Sequence, residues 1–128
     1  MLSRVRFEQE GYVRAEIFDR RTAQETRGFL ESIIATAAEH DCPRVLISVR
    51  ASAPLFQVEQ YGLSKYFRTL SDNRSYMVAL VSDSDETHAS HQYIEFLARQ
   101  YGARVKSFRS DRPALAWLLA DPALRPVR

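Results

Sequence analysis

His88, His91 and Glu95 are the residues whose types and spacing come nearest to a metal-ligating set. Separations of three and four put all three on one face of a helix, with Asp85 one turn earlier. The pattern is not His-Glu-x-x-His, and polar side chains in the first turns of a helix are ordinarily hydrated. The spacing therefore predicts a solvated face and no metal. Cys42 lies beside Asp41 in a helix-to-strand turn. A helix C-terminus raises a thiol's pKa, where a catalytic thiol needs it lowered, so a structural role is expected. His40, at the same end, complements the helix dipole.

Phosphate-binding loops need clustered glycines, so that backbone N–H groups can approach the anion. The four glycines, Gly11, Gly28, Gly62 and Gly102, are scattered. A Walker loop, a dinucleotide fingerprint and a Gly-x-Ser-x-Gly elbow are all excluded. Tyr61, Tyr66, Tyr93, Phe96 and Tyr101 could line an apolar pocket beneath two helices, or fill a core with their hydroxyls at its rim.

These residues need elements to hold them. Val5-Arg6-Phe7 and Tyr12 to Phe18 alternate across the turn signal Glu10-Gly11 and read as a hairpin. Thr22 and Glu25 form a capping-box pattern opening a helix to about Glu39, with Phe29, Leu30, Ile33, Ile34 and Ala37 as its apolar stripe. Gly28 within it suggests close packing against a neighbour. Val45 to Val49 is a buried strand. A helix from Leu55 to about Leu70 turns Phe56, Leu63, Phe67 and Leu70 inward, and Ser71-Asp72-Asn73 is a turn. Met77 to Val81 is a second buried strand. Three carboxylates, Asp83, Asp85 and Glu86, then mark a helix N-terminus. That helix turns Ala89, Tyr93, Phe96 or Leu97, and Tyr101 inward, with Gly102 as its C′ residue. Arg104 to Phe108 is the last strand. Asp111 caps a last helix that packs Leu115, Leu118 and Leu119 and closes at Asp121-Pro122.

Repeated strand–helix units predict an α/β fold, ββαβαβαβα, with a mostly parallel sheet. Arg14, Glu16, Arg104 and Lys106 share one face of the outer strands, which a doubly covered sheet would not carry. Helices should therefore lie mainly on the other face. Ligands usually meet such sheets at the carboxyl ends of the strands. Those ends carry Asp19-Arg20-Arg21, Arg50-Ala51-Ser52, Ser82-Asp83-Ser84 and Phe108-Arg109-Ser110, with no nucleophile–base pair visible among them.

Composition bounds the rest. The chain has 128 residues, 45% hydrophobic, which suits one domain over residues 1–121 with a short tail at 122–128. Eighteen basic against sixteen acidic residues leave a net charge of +2, without the basic stripe of a nucleic-acid binder. One cysteine excludes an intrachain disulfide and fits a reducing compartment. The longest clean apolar run, Val78 to Val81, is far short of a membrane span. With no signal-peptide pattern at Met1 to Arg6, the expectation is a cytoplasmic protein with no membrane span and no nucleic-acid partner.

Taken together, the chain resembles the SpoIIAA-like, or STAS-related, small bacterial proteins. The residues that carry the likeness are the opening strand pair with Asp19, the run Arg44 to Arg50, the run Met77 to Val81, and the stretch Phe96 to Phe108 followed by Asp111 and Ala114 to Leu118. The resemblance implies a right-handed βα superhelix with helices largely on one side. It also implies a non-enzymatic protein-interaction or regulatory module that binds a protein partner and needs no cofactor. STAS proteins of the antagonist type are phosphorylated within an Asp-Ser-Ser-Gly-like motif, and the corresponding stretch here is Val49 to Leu55. Ser52 stands at the acceptor's place, without the acid and the glycine. The resemblance thus points to an interaction or phospho-acceptor edge at Arg50, Ser52, Gln57 and Tyr61. The CRAL-TRIO lipid-binding fold is similar, so a carrier or sensor of a small apolar ligand is the alternative. A homodimer would protect an open sheet face or edge strand.

Overall fold

The computed structural model describes residues 2–53, 62–72 and 76–120. Five strands, β1 (Leu2–Glu8), β2 (Tyr12–Phe18), β3 (Arg44–Arg50), β4 (Met77–Ser82) and β5 (Arg104–Phe108), form one sheet in the order β1-β2-β3-β4-β5. Between and after them come α1 (Ala23–Glu39), α2 (Leu63–Ser71), α3 (Asp85–Gln100) and α4 (Asp111–Ala120). β1 pairs antiparallel to β2, and every later pair is parallel. The α/β class and the mostly parallel sheet are as expected.

Consecutive strand order explains where the helices lie. Each parallel step moves the chain the same way across the sheet, so crossovers of one hand lay their helices on one face. Phe29, Leu30 and Ile33 of α1, Phe67 and Leu70 of α2, and Ile94 and Ala98 of α3 share a buried cluster with Val13, Ile17, Val45, Ile47, Val78 and Val105. α4 follows the last strand and is free to cross. Its Ala114 and Leu118 bury against Tyr12, Leu46, Met77, Ala79 and Val81 on the opposite face. That second face is covered over its central strands. In the row Arg6, Arg14, Leu46, Ala79, Lys106 the charged residues lie at the two flanks.

Local chemistry sets the boundaries. Gly11 (φ 106°) turns the hairpin, its N–H bonding the Glu8 carbonyl at 3.0 Å. The capping box forms in full: the Glu25 N–H donates to Thr22 Oγ1 at 3.1 Å, and the Thr22 N–H donates to Glu25 Oε1 at 2.8 Å. α1 and α3 end in the same motif. Cys42 N–H reaches the Ala37 carbonyl at 2.9 Å and Ala103 N–H reaches the Ala98 carbonyl at 3.1 Å, each through a left-handed residue. That residue is Gly102 (φ 77°) after α3, as expected, but Asp41 (φ 48°) after α1.

Four expectations change. Gly28 is exposed, and a Cβ added there would meet nothing within 4 Å, so it marks no close packing. No helix continues through Gly62, whose left-handed backbone (φ 76°) stands at the N-cap of α2. Here the left-handed backbone favours glycine, and a Cβ would stand 3.1 Å from the Arg27 side chain, a tight contact. The part of the expected second helix from Leu55 to Tyr61, with Phe56, lies outside the described residues, as do Asn73 and the close at Asp121-Pro122. α3 is rotated relative to expectation. It buries Thr87, Ser90, His91, Ile94 and Ala98, while Ala89 and Tyr93 are exposed and Phe96 is 57% exposed. Small side chains let this helix approach β4 and β5 closely, and its large aromatics are left outside. Leu97 and Tyr101 are half-buried against the core. Finally, Asp111 is the first residue of α4 and does not cap it. Its Oδ2 accepts from Arg14 Nη1 at 3.1 Å, and its Oδ1 has no partner among the described residues.

Candidate functional site

The carboxyl ends of β2, β3 and β4 are tied into one knot. The Asp19 N–H donates to the Arg50 carbonyl at 3.1 Å. One residue on, the Arg20 N–H donates to Ser52 Oγ at 3.0 Å, and that hydroxyl donates to the Arg50 carbonyl at 3.0 Å. The Arg20 guanidinium donates to the Ala53 carbonyl. From the other side, the Ala51 N–H donates to Asp83 Oδ2 at 3.0 Å, and Thr87 Oγ1 donates to the Ser52 carbonyl at 3.4 Å. Asp19 (φ 55°) and Ala51 (φ 50°) are left-handed without being glycine, a conformation the surrounding hydrogen bonds hold in place.

Beside this knot a cleft of about 260 Å³ opens at the ends of β3, β4 and β5, lined by Arg50, Ser82, Asp83, Arg109, Ser110 and Asp111 among others. Arg50 is exposed, while Ser82 is buried and its hydroxyl has no partner among the described residues. Arg109 pairs with Asp85, whose carboxylate pKa is lowered by that hydrogen bond. Asp83 is occupied by Ala51 and Asp111 by Arg14, so both carboxylates are bound as acceptors. Among the described residues no histidine, cysteine or lysine lines the cleft. The arrangement offers hydrogen-bonding and charged groups on a preorganised edge, a surface suited to recognition.

Of the residues singled out in the sequence, Arg50 and Ser52 stand together on this edge. Gln57 and Tyr61 lie outside the described residues. Cys42 is buried, its sulfur 3.5 Å from the Gly11 carbonyl, as a structural thiol would be. His40 stacks on Phe7, ring centroids 4.4 Å apart.

The set His88, His91 and Glu95 is taken apart. Glu95 Oε1 accepts from the Ser107 N–H at 2.7 Å and its hydroxyl at 3.0 Å, and Oε2 accepts from Arg99 at 3.3 Å. His91 is not on a solvated face but only 3% exposed. Burial, then the nearby positive charges of Arg20 and His88, push its pKa down to about 3, so its ring is neutral.

His91 instead lines a small, mostly apolar pocket of about 50 Å³ under α1, α2 and α3, together with Arg20, Thr26 and Tyr66. These four are 3 to 5% exposed. The Thr26 hydroxyl, the Tyr66 hydroxyl and His91 Nδ1 have no partner among the described residues. Burial raises the Tyr66 pKa well above the ordinary phenol value, keeping the hydroxyl protonated. Sequence reasoning named Tyr66 as a possible pocket residue but not Arg20, Thr26 or His91, because the four come from separate segments. The available signal was the period 87, 90/91, 94, 98, which makes His91 an inward residue once aromatic size is set aside.

Comparison with protein-family models, curated proteins and solved structures finds no match for this chain. Among the described residues no helix is long and apolar enough to cross a membrane.

Proposed function

We propose that this protein is a non-enzymatic partner-binding or regulatory module of the STAS-like kind, working through the edge formed by Arg50 and Ser52. The supporting observation is the knot itself. The turn Arg50-Ala51-Ser52 is held by hydrogen bonds from the ends of both neighbouring strands, so a partner meets a surface whose ordering cost is already met. Arg50 extends that surface into the adjoining cleft. A protein partner that presents carboxylates to the exposed Arg50 complements it.

Ser52 also gives the edge a control point. Its hydroxyl both accepts and donates, and a phosphorylated side chain can no longer donate to the Arg50 carbonyl. The added charge and bulk would stand where the hydroxyl now joins the Arg20 N–H to the Arg50 carbonyl. Phosphorylation would therefore loosen the turn.

The test is mass spectrometry of the protein purified gently from its own cells, under native and then denaturing conditions. A partner that co-purifies, is lost from Arg50→Glu and Ser52→Asp, and is retained by Glu31→Lys on the exposed face of α1 is the expected result. A phosphate mapped to Ser52 would identify the control. A partner retained by both edge variants would overturn the assignment.

A further inference from the structure

The two edges of the sheet are finished differently. β5 pairs with β4, and its outer side is partly closed from within the chain: the Ser107 N–H and hydroxyl both go to Glu95 of α3, at 2.7 and 3.0 Å. β1 is the other edge, and among the described residues β2 is its only strand neighbour. It pairs with β2 in unbroken register from Leu2 to Glu8, with no proline, glycine or bulge to spoil its outer side. An edge of that kind presents alternate N–H and C=O groups to any strand that fits.

The side chains of β1 restrict what fits. Arg4 and Arg6 are exposed, and with Glu8 they lie on the face that α4 leaves uncovered at this flank. Val5 and Phe7 lie on the other face, half-buried against the core. A second β1, running antiparallel about a two-fold axis, can meet the first in a few registers, and charge separates them. Centred on Val5, the pairing sets Arg4 opposite the partner's Arg6. Centred on Arg4, it sets Arg4 opposite the partner's Arg4. Centred on Arg6, it sets Arg4 opposite the partner's Glu8 and Val5 opposite the partner's Phe7, each twice by symmetry.

In that last register the two Arg6 side chains face each other, but each has its own counter-charge, since Arg6 Nη2 stands 3.4 Å from Glu8. Arg4 is opposite Glu16 of β2, and Arg14 is paired with Asp111, so the patch stays balanced. An acidic strand from another protein would be drawn to the arginines and repelled by Glu8. The β1 sequence answers both signs.

We propose that two copies of this chain join by antiparallel pairing of their β1 strands, centred on Arg6, so that the two sheets run on as one. The pairing does not rest on the partner-binding reading, because Arg50 stands on β3, inward of both β1 and β2.

The test is the mass of the full chain by sedimentation equilibrium over a concentration series, beside its variants. The parent should pass from monomer to dimer as concentration rises. Arg4→Glu turns both Arg4–Glu8 pairs into repulsions and should raise the dissociation constant about tenfold or more, with the fold retained by circular dichroism. Glu8→Lys alone should do the same, and an equimolar mixture of the two variants should form a mixed dimer, because each supplies the charge the other lacks. Arg6→Cys should form a disulfide-linked dimer on air oxidation, since the two-fold axis brings that position against itself, and Glu10→Cys should not. Should Glu8→Lys fail to fold through loss of its bond to Arg14, the two cysteine variants still decide. A parent that remains monomeric at about 1 mM overturns the proposal. A dimer that Arg4→Glu leaves unchanged and Arg6→Cys does not cross-link lies on another surface and overturns it equally.

Discussion

Ser52 Oγ sits between two backbone groups of different loops, accepting from the Arg20 N–H at 3.0 Å and donating to the Arg50 carbonyl at 3.0 Å. One hydroxyl thereby joins the end of β2 to the turn after β3. Ser52→Ala leaves both groups without that partner and should cost about 1–2 kcal/mol. Urea denaturation monitored by circular dichroism measures it. A loss below about 0.3 kcal/mol would mean that water replaces the hydroxyl without cost.

The paired ends of α1 and α3 allow a comparison within one molecule. Both close with the same two hydrogen bonds, yet one uses Gly102 and the other Asp41 at the left-handed position. A side chain in that conformation is strained by about 1–2 kcal/mol, which glycine avoids while losing more chain entropy. Asp41→Gly should therefore stabilise by about 0.5–1 kcal/mol, and Gly102→Ala should destabilise by about 1 kcal/mol. Thermal melts of the two variants should move in opposite directions.

Buried His91 makes stability depend on pH in a defined window. Its folded pKa is about 3, against about 6.5 in the unfolded chain, so the unfolded state takes up the proton first. Its contribution is fully present above pH 6.5 and is lost progressively as pH falls toward 3. The full span corresponds to about 3–5 kcal/mol. Denaturation midpoints at pH 7 and pH 4 should differ less in His91→Leu than in the parent. Equal differences would show that the ring reaches water when it charges.

Arg14 links β1, β2 and α4, donating to Glu8 at 3.1 Å, to Asp111 at 3.1 Å and to the Tyr12 hydroxyl at 2.8 Å. Burial lowers its pKa, but the bonds to Tyr12 and Asp111 outweigh that and raise it, so it stays charged throughout. Asp111 is 97 residues away in sequence, so this pair helps seat α4 on the sheet. A double-mutant cycle of Arg14→Met and Asp111→Asn should give a coupling of about 0.5–1.5 kcal/mol, weakened by salt. A coupling near zero would leave the seating of α4 to Ala114 and Leu118.

Much of the fold was legible because it rests on local chemistry. The capping box at Thr22 and Glu25, the hairpin glycine, the left-handed Gly102 and the apolar runs of β3 and β4 each act within a few residues, and each formed as its residue types require. The α/β class followed from their alternation. Where expectation failed, the deciding contact was distant. Gly28 has no neighbour, and nothing within α1 could say so.

The face of α3 shows the same limit more sharply. Ranking by hydrophobicity turned Tyr93 and either Phe96 or Leu97 inward and left His91 to solvent. Packing left Tyr93 and Phe96 outside and buried His91, because the face that meets β4 and β5 is the one that carries the small Thr87, Ser90 and Ala98, with His91 and Ile94 beside them. The candidate sites share this property. Arg50 and Ser52 were visible as loop residues, but their knot depends on Arg20 and Asp83 arriving from neighbouring strands. The cavity joins Arg20, Thr26, Tyr66 and His91 from four segments. Sequence alone determined which residues form helices, strands and turns, since those preferences are short-range. Which polar groups lost water and came to face one another was settled only when the sheet and its helices closed on a common interior.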